Sequence, residues 1–153
     1  MKSAHQDYHC EPVAPFDDPR PRLLVVGLAP GAHGANQTGR PFTGDHAGLL
    51  LYATLYKFDW SNRATSTHLT DGLELRGCRI TNAVKCLPLE NKPLPVEVQT
   101  CNSYVRGELA ALEEGAAVLA LGTIAHQSVV RARGLRLADY SSSMGLCMLC
   151  QTA

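Results

Sequence analysis

Arg22-Leu23-Leu24-Val25-Val26-Gly27-Leu28-Ala29-Pro30-Gly31-Ala32-His33-Gly34-Ala35-Asn36-Gln37-Thr38-Gly39-Arg40-Pro41-Phe42-Thr43-Gly44-Asp45 joins two physically different pieces of chain. The first is a leucine and valine run ended by Ala29-Pro30, which reads as a buried strand over 22–28. The second is small and bent, with glycines at 27, 31, 34, 39 and 44, prolines at 30 and 41, one aromatic and one carboxylate. Such a segment cannot pack a core. It lets backbone amides approach phosphates closely and holds a few side chains at the edge of a sheet.

Working outward, the spacing predicts a helix over 45–58. Asp45 stands at its start as a cap, and Leu49, Leu50, Ala53 and Leu55 form its apolar face. A loop follows over 59–77, a second buried strand over 78–84 and a proline-broken loop over 87–95. Val98, Cys101, Val105, Leu109 and Leu112 recur at three and four residues, which predicts a helix over 96–114. A third strand over 116–121 and a helix over 123–132 complete the pattern. The alternation implies an α/β fold, with three layers and a central parallel sheet joined by right-handed crossovers. Ligands in such sheets bind beyond the carboxyl ends of the strands. The loops after the first two strands carry 29–45 and 82–92, so both are expected to form one site. Residues 1–21 are polar and proline-rich and read as an irregular lead-in, 22–140 as the core and 141–153 as a separate tail. There is no internal repeat and no sign of a second domain.

The chain has 153 residues, enough for one domain with a real core. Hydrophobic residues at 45% and charged residues at 18% suit a globular protein and exclude a disordered one. No apolar run reaches membrane-spanning length and the first residues are polar. The expectation is therefore a cytoplasmic monomer without signal peptide or membrane anchor. Net charge is zero, so bulk electrostatics does not announce a nucleic-acid partner. Arg40, Arg63, Arg76, Arg79, Lys85 and Lys92 lie near the two loop segments and read either as a basic cleft or as ordinary solvated charges. The six cysteines, without a secretion signal, do not suggest a disulfide framework.

Gly27 to Gly34, Thr38 to Asp45, Thr81-Asn82-Ala83-Val84-Lys85-Cys86, Asn91-Lys92-Pro93, Cys101 and Leu119-Ala120-Leu121-Gly122 form an ordered series of motifs. In that order and spacing they resemble the family 5 uracil-DNA glycosylases, the broad-specificity group of the uracil-DNA glycosylase superfamily. The resemblance covers about residues 12–140. It implies a uracil-DNA glycosylase-like fold, here lacking terminal elements. The implied activity is base excision repair: a monofunctional hydrolase that cleaves the N-glycosidic bond of uracil or other deaminated bases in double-stranded DNA, without a lyase lysine.

That chemistry acts on a nucleotide turned out of the duplex. The extruded base needs an aromatic face, for which Phe42 fits, although a phenylalanine there serves equally as a core residue. It needs an edge reader offering both a donor and an acceptor. The Asn82 amide at a strand's carboxyl end can do that, and an asparagine can also simply cap a turn. A further group must position water or stabilise the cationic sugar. Asp45 is the candidate, alongside its reading as a helix cap. The resemblance thus makes Asp45 and Asn82 catalytic and puts Phe42, Ala29, Gly31, His33 and Asn82 at the base. His33 reads equally as a loop histidine bonded to backbone. Superfamily relatives often carry a polar residue where Leu28 and Ala29 stand here, and the resemblance implies that family 5 members rely on the aspartate instead.

The resemblance also implies a structural [4Fe-4S] cluster, with Cys86 and Cys101 as two of its ligands. Such a cluster takes four thiolates. The other pair belongs to a Cys-x-x-Cys ahead of the first strand, where this chain has only Cys10, so the cluster is expected not to assemble. Cys147 and Cys150 form a Cys-x-x-Cys at the opposite end. Back-translating Met144 to Ala153 and shifting the frame by one base allows His-Gly-Ala-Val-His-Ala-Leu-Pro-Asn-Gly, a family-like segment. The tail from about Ser142 is thus expected to be out of frame, and the chain to be impaired by truncation. Two rival functions remain: a non-catalytic DNA-binding remnant, and a small-molecule nucleotide- or phosphate-binding α/β protein. The latter lacks a P-loop, since no Gly-Lys-Ser/Thr follows the first strand.

Overall fold

Leu24, Val25 and Val26 lose all contact with solvent because their strand is the middle one of the sheet. A computed structural model describes residues 7–140 and 146–150. In chain order the elements are β1 (Phe16–Asp17), β2 (Leu23–Gly27), α1 (Ala35–Thr38), α2 (His46–Lys57), β3 (Cys78–Asn82), α3 (Pro95–Ala110), β4 (Ala117–Leu121), α4 (Thr123–Ala132) and β5 (Leu146–Cys150). The sheet runs β1-β3-β2-β4-β5. β3, β2 and β4 are parallel, as expected.

Both edges depart from the all-parallel expectation. β1 lies antiparallel on β3 and β5 antiparallel on β4. Antiparallel edge strands on a parallel sheet are common in doubly wound folds. A two-residue strand inside a proline-rich lead-in has no periodicity to reveal it, so the described part of the lead-in, 7–21, is less irregular than its composition implies. Within the tail, 146–150 supplies an edge strand. The out-of-frame reading covers the tail from about Ser142, of which 141–145, 151–153 and the side chains of β5 lie outside the described residues.

Alternation along β2 sorts the core into two layers. Leu24 and Val26 pack with Val118 and Ala120 of β4, Val105 and Leu109 of α3, and Ala125 and Val129 of α4. Val25 points the other way, with Ile80 of β3, Tyr52 and Leu55 of α2, and Leu73 and Leu75 of the following loop. Each fully buried valine or leucine stabilises the fold by about 1.5–3 kcal/mol.

Helix boundaries have local causes. Asp45 Oδ1 accepts a hydrogen bond from Gly48 N at 2.7 Å and starts α2. Pro95 opens α3, where its missing N–H costs nothing, and Glu97 Oε2 accepts from Leu94 N at 2.7 Å. α3 stops at Ala110 rather than continuing to 114. Glu113 and Glu114 would put negative charge on the helix carboxyl end, and Gly115, with φ +82, turns the chain toward β4. Among the described residues no helix is long and apolar enough to cross a membrane.

Candidate active site

The register of β2 on β3 pairs Gly27 with Asn82 at the carboxyl end of the sheet. A Cβ added at Gly27 would fall 2.5 Å from Phe42 Cζ and 2.6 Å from Asn82 Oδ1. Only glycine lets the ring and the amide rest on one backbone atom. The loop after β2, the start of α2, the end of β3 and the end of β4 then enclose a cavity of 740 Å³. Ala29, Gly31, Phe42, Asp45 and Asn82 all line it, so five of the six candidate base-site residues meet in one place. Leu51, Leu119 and Leu121 supply an apolar wall.

Phe42 is half-buried and holds φ +55, a left-handed conformation that a bulky residue adopts at a cost of roughly 1–3 kcal/mol. The surroundings enforce it. Tyr52 donates its hydroxyl to Pro41 O at 2.8 Å. Burial pushes that hydroxyl up to about 12, so it remains a donor at neutral pH. Gly48 packs so closely that a Cβ there would sit 1.7 Å from Phe42 O.

Asn82 is only 3% exposed, yet its side-chain amide has no hydrogen-bond partner among the described residues and lines the cavity. The amide opens into the cavity and is not committed to the fold, so it is available to pair with a polar edge of a ligand. It offers one acceptor and two donor hydrogens, enough to read a pyrimidine edge.

Asp45 divides its work between two oxygens. Oδ1 caps α2, while Oδ2 lies beside Gly34, 3.1 Å from the position a Cβ would take there. The cap thus uses one oxygen and leaves the other beside the glycine loop.

His33 is different. It is exposed, does not line the cavity, and its Nδ1 lies 2.8 Å from the Tyr8 hydroxyl. The lead-in thus engages the histidine on the outer side of the glycine loop, which corrects its expected place at the base. Two of the six cations also leave the basic-cleft reading. Arg40 is 2% exposed and pairs with Asp71 at 2.8 Å. Lys85 is 5% exposed and pairs with Glu108 at 2.6 Å, with a further hydrogen bond to Thr81 Oγ1.

The close approach of Gly48 and the placing of Leu119 and Leu121 in the cavity wall go beyond the sequence-based expectation, which had 119–122 only as a motif. A glycine inside a helical pattern is a signal of close backbone approach, and alternation along β4 puts Leu119 and Leu121 on the α2 face.

Cys86 and Cys101 are close enough to interact electrostatically. Partial burial, with Cys101 and Glu97 nearby, pushes the Cys86 thiol up from its ordinary value. Cys10 is engaged elsewhere, its Sγ accepting from Asn36 Nδ2 at 3.7 Å beside the glycine loop. Among the described residues no group of three His, Cys, Asp or Glu side chains is placed to hold a metal ion. The described residues therefore do not fit a [4Fe-4S] cluster, which requires four thiolates. The thiols of Cys147 and Cys150 lie outside them.

Comparison with known proteins agrees with this geometry. Residues 14–148 match the model of the "Uracil DNA glycosylase superfamily". The chain is 44% identical over 131 residues to a type-5 uracil-DNA glycosylase of Thermus thermophilus, covering 86% of this chain and 59% of that protein. It is 44% identical over 133 residues to a type-5 enzyme of Pyrobaculum aerophilum, covering 87% and 58%. A type-4 uracil-DNA glycosylase of Archaeoglobus fulgidus is 31% identical over 124 residues, covering 80% and 54%. The chain therefore spans little more than half the length of these curated relatives. The matched region contains the three strands and the helix that build the cavity, and the chain belongs to the uracil-DNA glycosylase superfamily.

Proposed function

We propose that this chain hydrolyses the N-glycosidic bond of uracil or another deaminated base in DNA, the opening step of base excision repair. The observation that carries the reading is the unpartnered, 3%-exposed amide of Asn82 facing a cavity beside an aromatic ring. The relatives' names support the substrate class.

In this reading the target nucleotide leaves the helix and its base enters the cavity. Phe42 takes one face of the ring. Asn82 pairs with the polar edge and stabilises the negative charge that develops on the departing base. Asp45, through Oδ2, orients the attacking water or stabilises the positive charge developing on the sugar. Its Oδ1 is held by Gly48 N, so the carboxylate is already aimed and little rearrangement precedes reaction. The Leu51, Leu119 and Leu121 wall keeps bulk water from the base, which strengthens each of these charge interactions.

The test is release of uracil from single-stranded and duplex oligonucleotides by purified protein, with Asn82→Ala alongside. Release by the wild type that the variant loses supports the proposal. Salt-sensitive duplex binding with no release at any enzyme concentration overturns it in favour of a DNA-binding remnant.

A further inference from the structure

The loop between α2 and β3 contributes little to the cavity, yet it holds Arg40 and Thr43, one on each side of the Pro41-Phe42 pair. Arg40 Nη1 donates to Asp71 Oδ1 at 2.8 Å and to Ser66 Oγ at 2.9 Å, and Nη2 donates to Leu69 O at 2.7 Å. The guanidinium carbon also lies 4.4 Å from the centre of the Phe16 ring. On the other side of Phe42, the Thr43 and Ser66 hydroxyls are 2.6 Å apart. Asp71 is in turn fixed by the backbone amides of Thr67 at 2.7 Å and Leu73 at 2.9 Å. A strained turn persists only where its surroundings over-determine it, and here the residue two before the strained one and the residue directly after it are tied to one loop.

We propose that Asp71 is a positioning residue for the base-stacking ring: through Arg40 it holds the Pro41–Thr43 turn in the left-handed conformation that presents Phe42 to the cavity. Asp71 does not line the cavity, so it acts through Arg40 and Phe42 and not on the base. The inference rests on the glycosylase reading for the identity of the ligand, but the brace itself is a property of the free protein.

A residue that merely stabilises the fold and one that aims Phe42 differ in their coupling. The experiment measures single-turnover uracil release from a single-stranded oligonucleotide, well below each variant's unfolding temperature. It uses wild type, Asp71→Ala, Asp71→Asn, Phe42→Ala and the Phe42→Ala/Asp71→Ala double variant. Asp18→Ala is the control, since Asp18 likewise accepts backbone amide bonds, from Gly77 at 2.7 Å, at the opposite end of the sheet. Asp71→Ala is expected to slow release about tenfold and Asp71→Asn less, with Asp18→Ala within about twofold of wild type. The double variant is expected to be no slower than Phe42→Ala alone. Additive losses, or equal losses for Asp71→Ala and Asp18→Ala, overturn the assignment. If the wild type releases no uracil, the glycosylase reading fails and the brace is judged by the Phe42 ring signals in NMR, identified with Phe42→Ala. Asp71→Ala must then shift or average those signals and Asp18→Ala must leave them in place. Unchanged signals in Asp71→Ala refute the brace.

Discussion

On one side of the Phe42 turn, Arg40 is 2% exposed and its guanidinium reaches a carboxylate, a hydroxyl, a carbonyl and an aromatic face. On the other side, Asn82 is 3% exposed and its amide reaches nothing in the described chain. Burial is nearly equal and pairing differs. Both terminal nitrogens of Arg40 are matched and only its Nε lacks a partner, whereas the Asn82 amide makes no hydrogen bond among the described residues and opens into the cavity. The first arrangement commits a polar group to the fold, and the second leaves one available to a ligand.

The largest effect should come from breaking the satisfied side. Arg40→Met leaves Asp71 without its ion partner and should lower unfolding free energy by about 3–5 kcal/mol in urea titration, a large share of the ~5–15 kcal/mol of an ordinary domain. A variant as stable as wild type would erase the contrast. Asn82→Ala should do the reverse. Uracil release should drop by about 100- to 1000-fold, roughly 3–4 kcal/mol, while the urea midpoint stays level or rises. Gly27→Ala tests the shared floor between the regions. Its methyl meets Phe42 and Asn82 together, so it should cost about 1–3 kcal/mol of stability and slow release as well. A gain in stability with unchanged release would show that the two side chains move aside freely.

Acid titration sharpens the comparison further. Burial opposes the charge on Asp71, but the hydrogen bonds from Thr67, Arg40, Leu73 and His68 win and hold its carboxyl well below the ordinary 3.8. A depressed folded-state value means that the stabilisation is complete above the ordinary value and is lost as pH falls through and below it. Between about pH 5 and pH 2 the wild type should therefore lose stability more steeply than Asp71→Asn, as read by urea midpoints at each pH. The smallest effect belongs to Cys86→Ser. This exposed side chain should shift stability by less than about 0.5 kcal/mol. A larger loss, accompanied by loss of bound iron, would reveal a cluster completed by residues outside those described.

Much of the scaffold was legible because it is periodic. The apolar run of β2, the spacing along α2 and α4, and the position of Asp45 each follow from local chemistry, and strand order then forces the loops after β2 and β3 together. β1 and the four-residue α1 were too short to generate a period. In the site, Phe42, Asp45 and Asn82 stood out as the chemically capable residues in loops that had to meet. The brace did not. Ser66 and Asp71 lie 26 and 31 residues from Arg40, in a polar loop whose composition resembles any other. His33 was misplaced for a related reason: a loop position does not reveal which side of the loop faces the cavity, and Tyr8, 25 residues earlier, decides it.

Gly27 has a consequence for altering selectivity. Because ring and amide share one resting point, neither can be moved alone to admit a base of different size, and swaps at 42 or 82 disturb both at once. Leu51, Leu119 and Leu121 are free of that constraint. Under the proposed glycosylase function, redesign for larger or smaller bases should begin at this far wall, where single side chains can be trimmed or extended without unseating Phe42 and Asn82.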